Sequence, residues 1–341
     1  MLAEPSQDLR LAALKSWLAT LGQPAVNTES LRPASSDASF RRYFRLDGHD
    51  GRTYIAMDAP PPQEDVGPFL HVAEAFGKTG VSVPEIHAAD REQGFLLLSD
   101  LGHTTYLNQL NPDTAHKLYM DAIEALVLLQ AQSQPGVLPE YDRALLTREL
   151  MLFPDWYVGK HLNTALSDKQ SASLHKVFDV LLANNLAQPQ VYVHRDYHSR
   201  NLMVLGSGNP GILDFQDAVF GPITYDLVSL LRDAYIQWDE EMVLDWAIRY
   251  WEKARRAGLP VNTDVDAFYR DFEFMGLQRH LKVLGIFARL YYRDGKAAYL
   301  DDMPLVMEYT RRTAGRYREL APLVRLLDEL ENRGPGVGYT F

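Results

Sequence analysis

Leu11, Leu14, Leu18 and Leu21 recur at helical spacing across residues 8–21, which predicts an amphipathic helix that Gly22 can close. The period then shortens. Residues 39–46 (SFRRYFRL) and 53–58 (TYIAMD) read as strands joined by the polar DGHDGR turn, and Pro60-Pro61-Pro62 ends the second. A helix over about 66–78 follows, then a strand pair near 85–89 and 95–98. From about 113 onward the pattern is helical and long: 113–133, 143–166, 168–187, 224–236, 239–257, 264–293 and 300–331. One stretch interrupts it. In VYVHRDYHSRNLMVLGSGNPGILDFQD, from Val191 to Asp217, three short β runs (VYVH, LMVL, GILDF) alternate with polar residues, and GSGNP turns the chain between the last two. The expected fold class is α+β, with a small β-rich N-terminal lobe over residues 1–100 and a larger, mainly helical C-terminal lobe over 101–341.

Composition narrows the function classes. The 341 residues are 46% hydrophobic and 23% charged, ordinary for a globular protein and long enough for two lobes. No apolar run approaches the roughly 18 residues of a membrane span, and MLAEPSQDLR does not read as a signal peptide. A net charge of −11 opposes a nucleic-acid partner. Cysteine is absent, which excludes disulfides and thiolate metal sites and fits a cytoplasmic protein. The expected state is a monomer without nucleic-acid or membrane partners.

The interrupting stretch carries the chemistry. Phosphoryl transfer needs a group that orients the acceptor hydroxyl and takes its proton, and oxygen ligands that hold a divalent cation against the phosphates. Asp196 closes one β run. Asn201 follows five residues later, after a tight loop, and Asp214 stands on the next hairpin. These are the types, order and spacing of the H-R-D-x-x-x-x-N and D-F-G elements of kinases. A lone Asp or Asn in a loop usually caps a turn; three at this spacing between β runs argue for a base (Asp196) and two metal ligands (Asn201, Asp214). His194 reads as scaffold, His198 as a packing residue and Asp217 as a loop cap.

HRDYHSRN together with LDFQDAVFGPITYDL resembles the aminoglycoside phosphotransferase/choline kinase branch of the protein-kinase-like fold. Gln216 stands where D-F-G has its glycine, as is usual in that branch. The resemblance implies a bilobal fold, ATP and Mg²⁺ as cofactors, and a structural role for Asp226 in bracing the catalytic loop. More narrowly, SSDASFRRYFRL, IAMDAPPP, FLLLSDLG, LFPDWYVGKHL and QRHLKVLGIFARLYYRDGK are similar to the anomeric sugar kinases of bacterial cell-wall recycling. Those enzymes phosphorylate N-acetylmuramate and N-acetylglucosamine at the C1 hydroxyl with ATP. A small-molecule amino-sugar substrate is therefore implied.

On the nucleotide side the pattern departs from kinases. The expected phosphate loop, SSDASF, has no glycine, which leaves backbone N–H groups and the Ser36 and Ser39 hydroxyls. The strand lysine is missing: Asp58 or Met57 occupies its place, and the lysines before residue 100 are Lys15 and Lys78. FRRYFR offers substitutes. Alternation puts Arg41 and Arg45 on one face and Arg42 on the other, and the resemblance selects Arg42. Leu97, Ser99 and Leu101, at the inter-lobe hinge, are the implied adenine contacts.

On the acceptor side, Trp156 and Tyr157 lie beside Glu149, Asp155 and Lys160, so aromatic faces and carboxylates could meet a sugar, although core aromatics would look the same. Arg279, Lys282, Arg289 and Arg293 share one helix face, opposite Leu277, Leu281, Leu284 and Phe287. Such a stripe is more often a solvated face. Facing the cleft, it would receive a lactyl carboxylate, with Arg279 and His280 as the substrate contacts. An aminoglycoside or choline phosphotransferase, whose acceptors are cationic, is the alternative enzyme. A nucleotide-binding regulator or pseudokinase is the alternative of another class. A protein kinase is not expected, because no A-P-E element follows Asp214.

Overall fold

The structure, a computed structural model, describes residues 8–36 and 40–331, without the side chains of residues 35 and 36. In chain order the first elements are α1 (Leu9–Thr20), β1 (Val26–Ser36), β2 (Arg42–Gly48), β3 (Thr53–Asp58), α2 (Gly67–Gly77), β4 (Ile86–Asp90) and β5 (Phe95–Ser99). Next come α3 (Tyr106–Gln109), α4 (Ala115–Ala131), α5 (Arg143–Leu152) with a π-helical continuation (Phe153–His161), and α6 (Asp168–Ala187). Four short strands follow: β6 (Gln190–Val193), β7 (Leu202–Met203), β8 (Gly211–Ile212) and β9 (Val219–Pro222). The chain closes with α7 (Tyr225–Leu231), α8 (Glu240–Arg256), α9 (Val265–Asp294), α10 (Met303–Arg316) and α11 (Ala321–Leu330). This is the expected α+β class.

Two compact units emerge. One contains the residues up to Thr105 together with Leu202–Asp217; the other contains Tyr106–Asn201 and the residues from Ala218 on. The expected split at residue 100 is thus corrected in one respect: the β7–β8 hairpin, which carries Asp214, belongs to the sheet unit. Two-residue strands cannot stand alone. The hairpin borrows partners there: Ile212 N–H donates to Ser82 O (2.7 Å) and Val204 N–H to Thr104 O (2.9 Å).

In the sheet unit, five antiparallel strands run in the order β1-β2-β3-β5-β4. Register pairs Arg42 with Asp58, Phe44 with Ala56 and Leu46 with Tyr54, so the period of two places all six on one face. That face carries α1. Leu14 and Leu18 pack on Leu46, Tyr54, Ala56, Phe95 and Leu97. The helix starts at Asp8, whose carboxylate accepts from Leu11 N–H (3.0 Å). It ends on an extended Leu21 rather than on Gly22. β1 has no counterpart in the sequence reading. It is an edge strand, where Pro33 is tolerated. Elsewhere in this unit Phe215 packs on Phe69, with ring centroids 4.8 Å apart.

The helical unit is built around α9, whose residues from Phe272 to Gly285 are buried on every side, as expected of a core helix. α9 reaches the end of α5 at Gly285, where a Cβ would lie 2.3 Å from the Leu152 carbonyl oxygen. The expected single helix over 143–166 turns π-helical after Leu152, closing with Leu162 N–H on Tyr157 O (2.9 Å). α6 opens on a capping box between Ser167 and Gln170. The expected helix over 300–331 is broken at an extended Tyr317, and Pro322 restarts it as α11. No helix of the described residues is long and apolar enough to cross a membrane.

Candidate active site

The candidate catalytic loop begins where β6 ends. Asp226, buried in the first turn of α7, accepts from the backbone N–H groups of His194 (2.6 Å) and Arg195 (3.0 Å). Burial pushes its carboxyl up to about 7, against the pull of those two donors. This clamp holds Arg195 at φ 76°, a left-handed conformation that costs a β-substituted residue roughly 1–2 kcal/mol. Asp196 N–H then donates to His194 Nδ1 (3.2 Å). A tight turn follows: His198 N–H donates to Asp196 O (3.0 Å), and Asn201 N–H to His198 O (2.9 Å). Asn201 Nδ2 also reaches Asp196 O (3.0 Å), which is how residues five apart come to share one spot. Ser199 anchors the far side of the loop, donating through N–H to Asp233 (2.9 Å).

Cations surround Asp196. Its side chain is 40% exposed, and Arg279 Nη1 lies 3.8 Å from Oδ1. Burial works to raise its carboxyl, but Lys282 and Arg279 outweigh it and hold the group well below the usual carboxylate range. The acid is therefore ionised at any physiological pH. Lys282 in turn donates to Tyr225 OH (3.0 Å) and pairs with Glu149 (2.9 Å). Arg279 and Lys282 are both buried, so the first half of the basic stripe is no solvated face.

Several expected contacts take other roles. Glu149 is corrected: its buried carboxylate accepts from Tyr141 OH, Arg195 Nη2 (2.5 Å) and Lys282 Nζ, leaving it to position cations rather than meet a substrate. Its burial opposes ionisation, yet the charges of Lys282 and Arg195 hold its carboxyl below the ordinary value. His280 is corrected too. It stacks on Tyr309 (5.0 Å) and approaches Arg232 O through Nε2 (3.3 Å), and burial drives its imidazole down to about 3, so it is a neutral core residue. Tyr157 stacks on Phe153 (5.3 Å) inside the π-helical turn, while Trp156 beside it is half-buried.

In the sheet unit, Asp214 also has left-handed backbone (φ 62°), and Oδ1 accepts from Gln216 Nε2 (2.9 Å). Arg41 Nη2 lies 3.9 Å from the same oxygen. The choice of Arg42 is corrected. It lies on the α1 face, where its guanidinium is shared between Asp8 and the fully buried Asp58. Leu97 is corrected as well: it sits in a central strand, paired with Ala56 and Ala88, with its side chain in the α1 core. Ser99 is engaged with Glu85 through both N–H (2.9 Å) and Oγ (2.8 Å). Leu101 lies past the strand, against Gly211, where a Cβ would come 2.9 Å from its Cδ1. Ser39 and the Ser36 side chain lie outside the described residues.

Asn201 carries an amide oxygen and Asp214, in the other unit, a carboxylate, each a hard donor of the kind Mg²⁺ takes. Among the described residues no three His, Cys, Asp or Glu side chains converge as a metal cage. Mg²⁺ does not require one, since it retains waters and binds through one or two carboxylates plus substrate phosphates.

The sequence reading missed a second ring around the loop. Asp233 holds Ser199. Arg200 lies 3.5 Å over the Tyr235 ring, and Tyr235 meets His198 edge-on at 5.4 Å. Asp233 lies just past the C-terminal end of α7, seven residues after Asp226, where no motif in the sequence marks it.

The sequence profile of the phosphotransferase enzyme family matches residues 30–259. The N-acetylmuramate/N-acetylglucosamine kinase of Neisseria meningitidis serogroup B is 55% identical, over 97% of this chain and 99% of its own length. The Pseudomonas putida protein of the same name is 48% identical, over 96% of this chain and 98% of its own. Among solved structures, an ADP-bound aminoglycoside phosphotransferase superposes with a TM-score of 0.55 at 14% identity, covering 89% of this chain and 98% of that one.

Proposed function

The chain belongs to the phosphotransferase enzyme family and is a small-molecule kinase, and on that premise we propose that it transfers the terminal phosphoryl group of ATP to the anomeric C1 hydroxyl of N-acetylmuramate and N-acetylglucosamine. The observation that carries this reading is the catalytic loop: a half-exposed, ionised Asp196, fixed by Asp226 and by Asn201. The acceptor class comes from the names of the relatives that match nearly end to end. Cations at Arg279, Lys282 and Arg200 near this loop also suit an acceptor that can carry a carboxylate better than the polycationic aminoglycosides or choline.

In this mechanism Asp196 accepts a hydrogen bond from the C1 hydroxyl and orients its lone pair. The hydroxyl oxygen bonds to the terminal phosphorus as the bond to the bridging oxygen breaks, ADP leaves, and the proton passes to Asp196. Asn201 and Asp214 would ligate Mg²⁺, which neutralises phosphate charge. The product is a sugar 1-phosphate, and ATP as the donor suits a cytoplasmic protein.

The test is ATP consumption against N-acetylmuramate, N-acetylglucosamine, their 1-O-methyl glycosides, kanamycin and choline. Turnover of the free amino sugars alone is expected. Turnover of the methyl glycosides would sink the C1 assignment, and turnover of kanamycin or choline would sink the acceptor.

The charge around Asp196 predicts a pH effect. Because Arg279 and Lys282 depress its carboxyl, kcat/KM of the wild type shows no acid limb from this group down to about pH 5. In Arg279→Gln the carboxyl titrates higher, so activity is lost at a higher pH as the solution is acidified. An unchanged profile would mean that Arg279 does not tune Asp196.

A further inference from the structure

We propose that Arg41, held by Glu64, is the cation that contacts the nucleotide phosphates, replacing the strand lysine that this chain lacks. The inference rests on ATP being the donor, as read above.

The usual lysine position carries no cation. In protein kinases the phosphate-binding lysine stands on the third strand and is paired by an acidic residue. Here the end of β3 carries Met57 and Asp58. Asp58 is fully buried and neutralised on the α1 face by two arginines, Arg10 (Nε, 3.1 Å) and Arg42 (Nε, 3.0 Å). A fully buried carboxylate needs opposite charge beside it, so both guanidiniums are committed to holding the fold. Arg45 is committed likewise, to Asp100 (2.6 Å) and the Gly102 carbonyl (2.7 Å).

Arg41 is placed differently. It directly precedes β2, one residue out of phase with Arg42, and so projects away from α1. Its side chain is only 11% exposed and lies within ion-pair reach of Asp214, the candidate metal ligand (3.9 Å), and of Glu64 (3.8 Å). Glu64 does two jobs. Its Oε2 faces Arg41, while its Oε1 accepts from the Phe40 N–H (3.1 Å), tying down the backbone that carries the arginine. A cation braced by one carboxylate and set beside a metal-binding carboxylate is the arrangement the lysine–glutamate pair provides in kinases. A guanidinium adds a planar fork that can take two phosphate oxygens at once.

The test is calorimetric titration with ADP in magnesium buffer, with adenosine by competition, on wild type, Arg41→Met and Arg41→Gln. No acceptor sugar is present, so the outcome is independent of the acceptor assignment. Loss of one charge-assisted contact predicts ADP binding weaker by about 10-fold or more in Arg41→Met, with adenosine affinity unchanged. Arg41→Gln, the milder change should Arg41→Met fold poorly, weakens ADP in the same selective way, and Arg41→Lys recovers part of the affinity. Glu64→Gln produces a smaller selective loss. ADP affinity within about twofold of wild type in Arg41→Met and Arg41→Gln would overturn the proposal and leave Arg41 as a neutraliser of Asp214. Equal weakening of ADP and adenosine would also overturn it, as the mark of a merely structural arginine.

Discussion

Asparagine in place of Asp196 is expected to lower kcat with either amino sugar by about 10²–10⁴-fold, the usual contribution of a positioned general base, with little change in KM for ATP. The substitution keeps the size of the side chain and the loop's own hydrogen bonds, which run through the Asp196 backbone and Asn201 Nδ2. What it removes is the negative charge facing Arg279 and the acceptor proton. Folding should survive, because the side chain is two-fifths exposed and its neighbours Arg279 and Lys282 retain other partners. Steady-state kinetics alongside a melting curve would check this. A kcat within tenfold of wild type would remove Asp196 from the role of base.

Glu149→Gln should act in the opposite way, on stability first. The carboxylate is buried between Arg195 and Lys282 and also accepts from Tyr141. Neutralising it leaves two buried cations without their shared counter-charge, a change that costs about 3–5 kcal/mol. The sign with pH follows from its depressed carboxyl. Its contribution is present above the unfolded-state value, near 4.3, and is lost as pH falls through the lower folded value. The gap between wild type and variant, read from denaturant melts, is therefore widest near neutrality and narrows in acid. A gap of less than about 1 kcal/mol at pH 7 would show that water already shields the cluster. Because Arg195 is one of the two cations and adjoins Asp196, the variant should lose activity as well.

Legibility followed the range of each interaction. α6 could be placed over 168–187 because its period and its Ser167/Gln170 box are local. The Asp196–Asn201 loop was legible for the same reason: its bonds span five residues. β1 was not, since VNTESLRPASS lacks alternation and owes its pairing to β2. The alternation of Arg41, Arg42 and Arg45 was visible, but which face is covered depends on α1 packing there, a tertiary fact. Glu149 and Lys282 lie 133 residues apart and find each other only across the fold of α5 on α9. The same holds for His280, which looks like part of a basic, ligand-ready stripe until Tyr309 stacks on it.

The missing lysine at the end of β3 has a chemical consequence. Nucleotide analogues that carry an amine-reactive acyl group on their terminal phosphate label kinases through the nearby ε-amine. In residues 8–100 of this protein the amines belong to Lys15, within α1, and Lys78, which caps the end of α2 and pairs with Glu74. The sheet itself offers guanidiniums, which do not acylate under such conditions because they stay protonated. With Arg41 as the phosphate contact, residues 8–100 would pass unlabelled through amine-directed covalent profiling, while dicarbonyl reagents, which condense with guanidinium groups, would find their target.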